Sequence, residues 1–209
     1  MLVGGNVGTL GAPRRGPYRP PMPKRLRAFL FEELDEVTRR WMLAEFRLEQ
    51  SRRDLPPYRP RRISPTGMRV FADVMESALA GGDETDLAAA LSAPELWRVP
   101  DGGAGDAAAR IARQYAERFA FTEFNTWYVR GLSRRLLEEG VPLCEVYRAA
   151  PSYRPRGECG SLEGRRLAVA EVYAAHRARY HPVADPEAVS IPFGPNCRHS
   201  IRRVRSDGR

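Results

Sequence analysis

The residues of this chain with the greatest capacity for metal binding or nucleophilic chemistry are its three cysteines and three histidines. Cys197 and His199 lie two positions apart in a stretch rich in proline and glycine, and Cys159 lies in a second glycine-rich stretch. Prolines and glycines at this density predict tight turns rather than continuous helix or central strand. Thiolate and imidazole groups are the ligands that structural zinc sites use. The pattern therefore indicates a zinc site of Cys159, Cys197 and His199, with Cys144 or His181 as the fourth ligand.

The same residues are also compatible with other chemistry. Cys159 and Cys197 are small enough to be buried packing residues that lie close in space, and a disulfide between them is a further alternative. Cys197 and His199 supply the residue types of a thiol nucleophile and its base. The sequence contains no nucleophile elbow, metalloprotease, P-loop or dinucleotide-binding motif. We therefore expect neither enzymatic activity nor a small-molecule substrate.

Bulk composition places the chain among basic globular proteins. It has 209 residues, 43% of them hydrophobic, and a net charge of +8. An excess of arginine favours contact with a polyanion, and the run of Arg202, Arg203 and Arg205 is a candidate for phosphate contact or, alternatively, a solvated chain end. An odd number of cysteines does not make a disulfide framework, which favours a reducing cytoplasm during synthesis. Because no run approaches about 18 apolar residues, we expect no contact with membranes.

The sequence divides into three regions. Residues 1–23 are rich in glycine, proline and arginine, which predicts a flexible basic arm that either tethers the protein to DNA or a neighbouring subunit or is a solvated tail. Residues 24–100 form a helical N-terminal region, and a glycine-rich joint at 101–105 is the predicted boundary to a second domain at 106–205.

Apolar periodicity predicts an α+β, mostly helical fold, in which long amphipathic helices precede a small mixed strand region closed by cysteine-containing turns. Gly131, within the longest helix, is expected to allow a bend. The predicted helices are 24–53, 64–80, 86–91, 106–139 and 170–180, with a further turn at 93–97. The predicted strands are 142–149, 165–169, 189–193 and 200–204.

Two short motifs resemble those of a known family. The segment Cys159-Gly-Ser-Leu162-Glu-Gly164 is similar to a C-x-x-L-x-G element, and Gly194-Pro195-Asn196-Cys197-Arg198-His199 is similar to a closing H-P-N-C-R-[CH] element. Both belong to the phage head morphogenesis family, which comprises minor capsid proteins similar to the F protein of phage Mu. A preceding long helix that carries Glu123 also fits, and the resemblance covers residues 108 to 204. Two positions depart from the family pattern, since Arg156 replaces a cysteine and Gly194 replaces a histidine.

The resemblance implies a minor capsid protein of a tailed phage or prophage that acts in head assembly. Its partners would be the portal and other capsid proteins, with packaged DNA as a further contact. Its location would be the virion head or portal region, and the host cytoplasm during assembly. The motif residues Leu162, Gly164, Pro195, Asn196, Arg198 and Glu123 would be structural, with Arg198 bonded to local carbonyls or to a carboxylate such as Glu123. The alternative function is a basic nucleic-acid-binding module with a zinc knuckle.

Overall fold

The computed structural model describes residues 29–51, 62–98, 105–150, 157–175, 189–194 and 197–205. The fold is α+β and mostly helical, as predicted. Its elements are, in chain order, α1 (Glu36–Ser51), α2 (Pro65–Ala80), α3 (Glu84–Ala90), a 3-10 turn (Pro94–Leu96), α4 (Asp106–Glu138), β1 (Leu143–Arg148), α5 (Gly157–Gly160), β2 (Arg166–Ala168), α6 (Val169–Ala174) and β3 (His199–Arg203).

The helix α4 is the centre of the fold. Every residue from 119 to 133 is buried, because α1 and α3 pack against this part of the helix, and α6 and β3 also contact it. Its aromatic side chains Phe124, Trp127 and Tyr128 are fully buried, and Trp127 meets Phe46 of α1 edge to face at 5.1 Å. The aromatic-rich centre of this helix is thus confirmed as core, which is the environment where large rings gain most from burial.

A three-stranded antiparallel sheet packs beside α4. Its strand order is β2-β1-β3, with β1 in the middle. Val146 and Ile201 are opposite one another in β1 and β3, and both are fully buried. The predicted strand at 189–193 is wrong, since residues 189–194 form a loop. Pro192 explains the difference, because proline has no backbone N–H to contribute to a sheet.

The first helix is shorter than predicted. The sequence pattern predicts helix from Lys24, whereas α1 begins at Glu36. Asp35 accepts a hydrogen bond from the backbone N–H of Thr38 at 2.9 Å, as an N-cap residue does. The segment before it is irregular, with a turn at residues 32–33, and a bond from the Leu30 N–H to the Ala149 carbonyl holds it beside the end of β1. Leu30 therefore lies largely exposed, although its spacing places it on the predicted apolar stripe.

The beginnings of α2 and α3 follow from local sequence. The Ser64 hydroxyl accepts a hydrogen bond from the Gly67 N–H at 3.0 Å, and Pro65 occupies the first helical position, as predicted. Asp83 and Asp86 form a reciprocal capping box at the start of α3. Of the two helices, α3 packs directly on α4, and Phe71 of α2 reaches Phe119 of α4, with ring centroids 4.8 Å apart.

One continuous group of buried side chains joins the helices to the sheet. It extends from Met42 of α1 to Ile201 of β3. The arm at 1–23 and most of the joint at 101–105 lie outside the described residues, as does the second half of the predicted helix at 170–180. The division into two domains stays a prediction. Among the helices that the structure describes, none has the length and apolarity needed to cross a membrane.

Candidate metal centre

The segment that carries Cys159 is a single helical turn followed by a tight turn. The Leu162 N–H donates to the Cys159 carbonyl at 3.2 Å, and the Leu162 side chain is buried in the core. Gly164 adopts a φ of 78°, a left-handed conformation that favours glycine, and its N–H donates to the Val146 carbonyl of β1 at 2.8 Å. Leucine and glycine thus fix the position of Cys159 relative to the sheet.

The segment that carries Cys197 and His199 leads directly into β3. The Cys197 N–H donates to the Gly194 carbonyl at 3.0 Å, and the Ala149 N–H donates to the Arg198 carbonyl at 2.9 Å. From α4, the Asn125 side-chain amide donates to the His199 carbonyl at 2.8 Å. These bonds tie the start of β3 to both β1 and α4.

The fold brings three of the predicted ligands together. Potential ligand atoms of Cys159, Cys197 and His199 all lie within 4.8 Å of one another, and all three residues are buried. The Sγ atom of Cys197 is 3.7 Å from Nδ1 of His199. A tetrahedral zinc ion with ordinary Zn–S and Zn–N bond lengths would separate a sulfur and a nitrogen ligand by about 3.6 Å. The donor set and its spacing therefore fit a zinc ion, so these residues could bind one.

The far side of the His199 ring faces a carboxylate. Nε2 of His199 lies 3.5 Å from Oε2 of Glu163, which also pairs with Arg148 at 2.6 Å. Burial alone would lower the pKa of His199, but its contacts with Cys197 and Glu163 raise that pKa above the ordinary value. Burial alone would raise the pKa of the Cys197 thiol, but its bond with His199 leaves the pKa lowered. Metals bind the thiolate form of cysteine, and the lowered pKa of Cys197 acts in that direction.

Cys144 lies away from this cluster. Its Sγ is 3.7 Å from the Leu167 carbonyl of β2, and burial raises the pKa of the thiol to about 12. Arg148 of β1 is paired with His199 of β3. Cys144 is four residues before Arg148 along β1, which places it about 13 Å from His199 in the strand direction. The structure therefore does not bring Cys144 to the cluster as a ligand. His181, the other predicted fourth ligand, lies outside the described residues.

Arg198 points to the helical half of the protein. Its guanidinium carbon lies 5.3 Å from the ring centroid of Phe29 and 5.2 Å from that of Phe121. The Phe29 N–H donates in turn to Oε1 of Glu84, a buried residue at the start of α3. Such contacts between a cation and aromatic faces are favourable. Arg198 thus stabilises the packing of the first described segment against α4.

Other motif residues have less defined roles. Glu123 is fully buried in α4, and its pairing with Arg198 stays a prediction. Pro195 and Asn196 lie outside the described residues.

The basic run at the end of β3 is engaged within the protein. Arg202 pairs with Glu32 at 2.7 Å and with Glu145 at 2.5 Å. Arg203 pairs with Glu33 and with Glu139. Arg205 pairs with Glu32 at 2.9 Å. Because these arginines already face carboxylates, their charge is largely compensated locally. They attach β3 to the segment before α1.

Sequence reasoning missed two residues of this site. Glu163 and Arg148 were not predicted to have a role, yet they form the polar side of the cluster. Glu163 lies inside the L-x-G motif, close in sequence to the predicted ligand Cys159, and this nearness is the signal that could have indicated it. Arg148 carries no such signal, because its role depends on pairing between strands that are distant in sequence.

Comparisons with protein-family models, with curated proteins and with solved structures find no match to this chain.

Proposed function

We propose that this protein is a minor capsid protein of a tailed phage or prophage, and that a zinc ion bound by Cys159, Cys197 and His199 closes its C-terminal half. One observation carries the proposal: the two motifs that resemble the head morphogenesis family supply all three residues of the buried cluster. A chance similarity between two short motifs would not require them to meet in space.

The role of the zinc ion in this proposal is structural. Bound zinc would cross-link α5 to the segment that enters β3, and it would stabilise the folded state by its binding free energy. A closed structural zinc site takes four protein ligands; three are buried together here, and His181 stays the predicted fourth. The protein's own contribution is to hold the three side chains at the right separation.

The proposed place of action is the head of the particle, near the portal, and the host cytoplasm during assembly. Its proposed partners are the portal and other capsid proteins, with packaged DNA as a further contact. The internal ion pairs of Arg202, Arg203 and Arg205 argue against this run as the main DNA-binding surface. For the same reason they favour the capsid function over the alternative, a basic nucleic-acid-binding module with a zinc knuckle.

The capsid function is tested by co-purification of the tagged protein with the portal and procapsid encoded beside it. We expect a few copies in each particle. Absence from particles, together with retention on DNA that weakens steeply with salt, would overturn the proposal and support the nucleic-acid-binding module.

The metal site is tested by elemental analysis of the full-length protein and two matched cysteine variants. We expect about one zinc per chain in the natural protein and in Cys144→Ala, because that thiol lies on β1 away from the cluster. We expect loss of zinc in Cys197→Ala, with a lower midpoint of thermal unfolding. Equal zinc content in both variants would contradict the proposed ligand set.

A further inference from the structure

We propose that Glu163 is the positioning residue of this metal site: it holds the His199 ring with Nδ1 directed at the Cys197 thiol. This inference rests on the proposed zinc site and deepens it. Glu163 is not one of the three proposed ligands, and the inference gives it a separate role in orienting one of them.

The two ring nitrogens of His199 face different groups. Nδ1 lies 3.7 Å from Sγ of Cys197, and Nε2 lies 3.5 Å from Oε2 of Glu163. A neutral imidazole carries its hydrogen on one nitrogen only, and an acceptor beside Nε2 favours the form with hydrogen there. Nδ1 then keeps its lone pair for a metal. Histidine ligands of metals commonly donate their other N–H to a carboxylate or carbonyl in this way.

The carboxylate is itself held in place. Arg148 donates to Oε2 of Glu163 from Nε at 3.0 Å and from Nη2 at 2.6 Å. Arg148 is directly opposite His199 in the β1–β3 register. The sheet thus holds the arginine and the histidine side by side, and the turn that carries Cys159 supplies the carboxylate between them. The segment of α5 and the turn after it therefore provides both a ligand and the group that orients another ligand.

Burial makes Glu163 suitable for a direct test. The His199 side chain is 1% exposed, whereas that of Glu163 is 37% exposed. A substitution at Glu163 therefore leaves no cavity in the core. If the carboxylate served only as the surface partner of Arg148, its removal would change the thermal midpoint little, because exposed ion pairs contribute little to stability, and zinc affinity would not change.

The test measures zinc affinity of the full-length protein by competition with a chromogenic chelator. We expect Glu163→Ala to bind zinc about 10–100-fold more weakly than the natural protein. Glu163→Gln keeps an oxygen acceptor without charge, and we expect a smaller loss. The matched control is Glu145→Gln, a carboxylate of β1 that also pairs with an arginine but lies outside the cluster, and its zinc affinity should be unchanged.

A second readout is specific for ring orientation. Nitrogen-15 NMR of the histidine ring should show zinc on Nδ1 and hydrogen on Nε2 of His199. An affinity of Glu163→Ala within twofold of the natural protein, or zinc on Nε2, would overturn the inference while leaving the zinc site intact. If the natural protein binds no zinc, the proposed site fails. In that case the inference about Glu163 fails together with the site, whereas the two outcomes above overturn the inference alone.

Discussion

Gly131 allows α1 and α4 to approach closely, and its replacement by alanine is the most direct test of the core. A Cβ atom at this position would lie 2.5 Å from Cγ of Met42, 2.6 Å from its backbone nitrogen and 2.8 Å from its Cα. Two of these atoms belong to the backbone of α1. A change of side-chain rotamer therefore cannot relieve the overlap, and the two helices must move apart.

The expected cost follows from two opposing effects. Forcing an extra methyl group into a packed core costs about 1–3 kcal/mol, and separation of backbones places this site at the upper end of that range. Alanine gains about 1 kcal/mol over glycine in helix propensity. The movement of α1 also loosens the packing of Met42 and Phe46, both fully buried. We expect Gly131→Ala to lower the free energy of unfolding by about 2 kcal/mol, which lowers the thermal midpoint by about 4–8 °C in a chain of this size.

The assay is urea and thermal unfolding followed by circular dichroism, with Gly81→Ala as the matched control. A Cβ atom at Gly81 meets no atom within 4 Å, so that variant should unfold as the natural protein does. If Gly131→Ala were as stable as the natural protein or more stable, the close approach of the helices would be refuted, and glycine at this position would need another explanation.

Three further perturbations test other parts of the structure. Arg130 pairs with the buried carboxylate of Glu45 at 2.6 Å, so Arg130→Met leaves that carboxylate without its cation and should lower the free energy of unfolding in urea by about 3–5 kcal/mol. Adding Glu45→Gln should restore part of that loss. No recovery in the double variant would contradict the ion pair. Arg198→Ala should cost about 1–4 kcal/mol through loss of contact with two aromatic rings, and an unchanged thermal midpoint would contradict this role. Burial alone would raise the pKa of Glu32, but its bonds with Arg205 and Arg202 lower that pKa below the ordinary 4.5. The ion pairs of Glu32 therefore contribute their full stability above pH 4.5, and this contribution is lost as the pH falls through the lowered pKa of the folded state. The difference in free energy of unfolding between the natural protein and Glu32→Gln should accordingly shrink below about pH 4.

Much of the helical framework could be predicted because its signals are local. Ser64 and Pro65 begin α2 through a cap and a fixed φ, and Gly140, at a φ of 69°, follows the end of α4 as predicted. The strands β1 and β2 could be placed for the same reason, since β-favouring residues are bounded by turn residues.

The failures have long-range causes. Leu30 has helical spacing, yet its segment is not helical, and its backbone bonds to Ala149, more than a hundred positions away. Gly131 also has a role that the sequence alone does not indicate, since the backbone of α1 lies against it, while the bend expected there stays a prediction. Residue types alone could not separate Cys144 from Cys159 as ligands, because only the strand register decides which thiol lies beside His199.

The order of synthesis gives the pairing of β1 with β3 a kinetic consequence. Ribosomes make about 5–20 residues per second, so roughly 3–10 s pass between Arg148 of β1 and His199 of β3. During that interval β3 has not been made, so Ile201 cannot yet join the buried core, and the three ligands are not all present until His199 is added. The nascent chain therefore passes through a stage in which it is exposed to chaperones and to self-association, and in which the proposed zinc site cannot yet protect it.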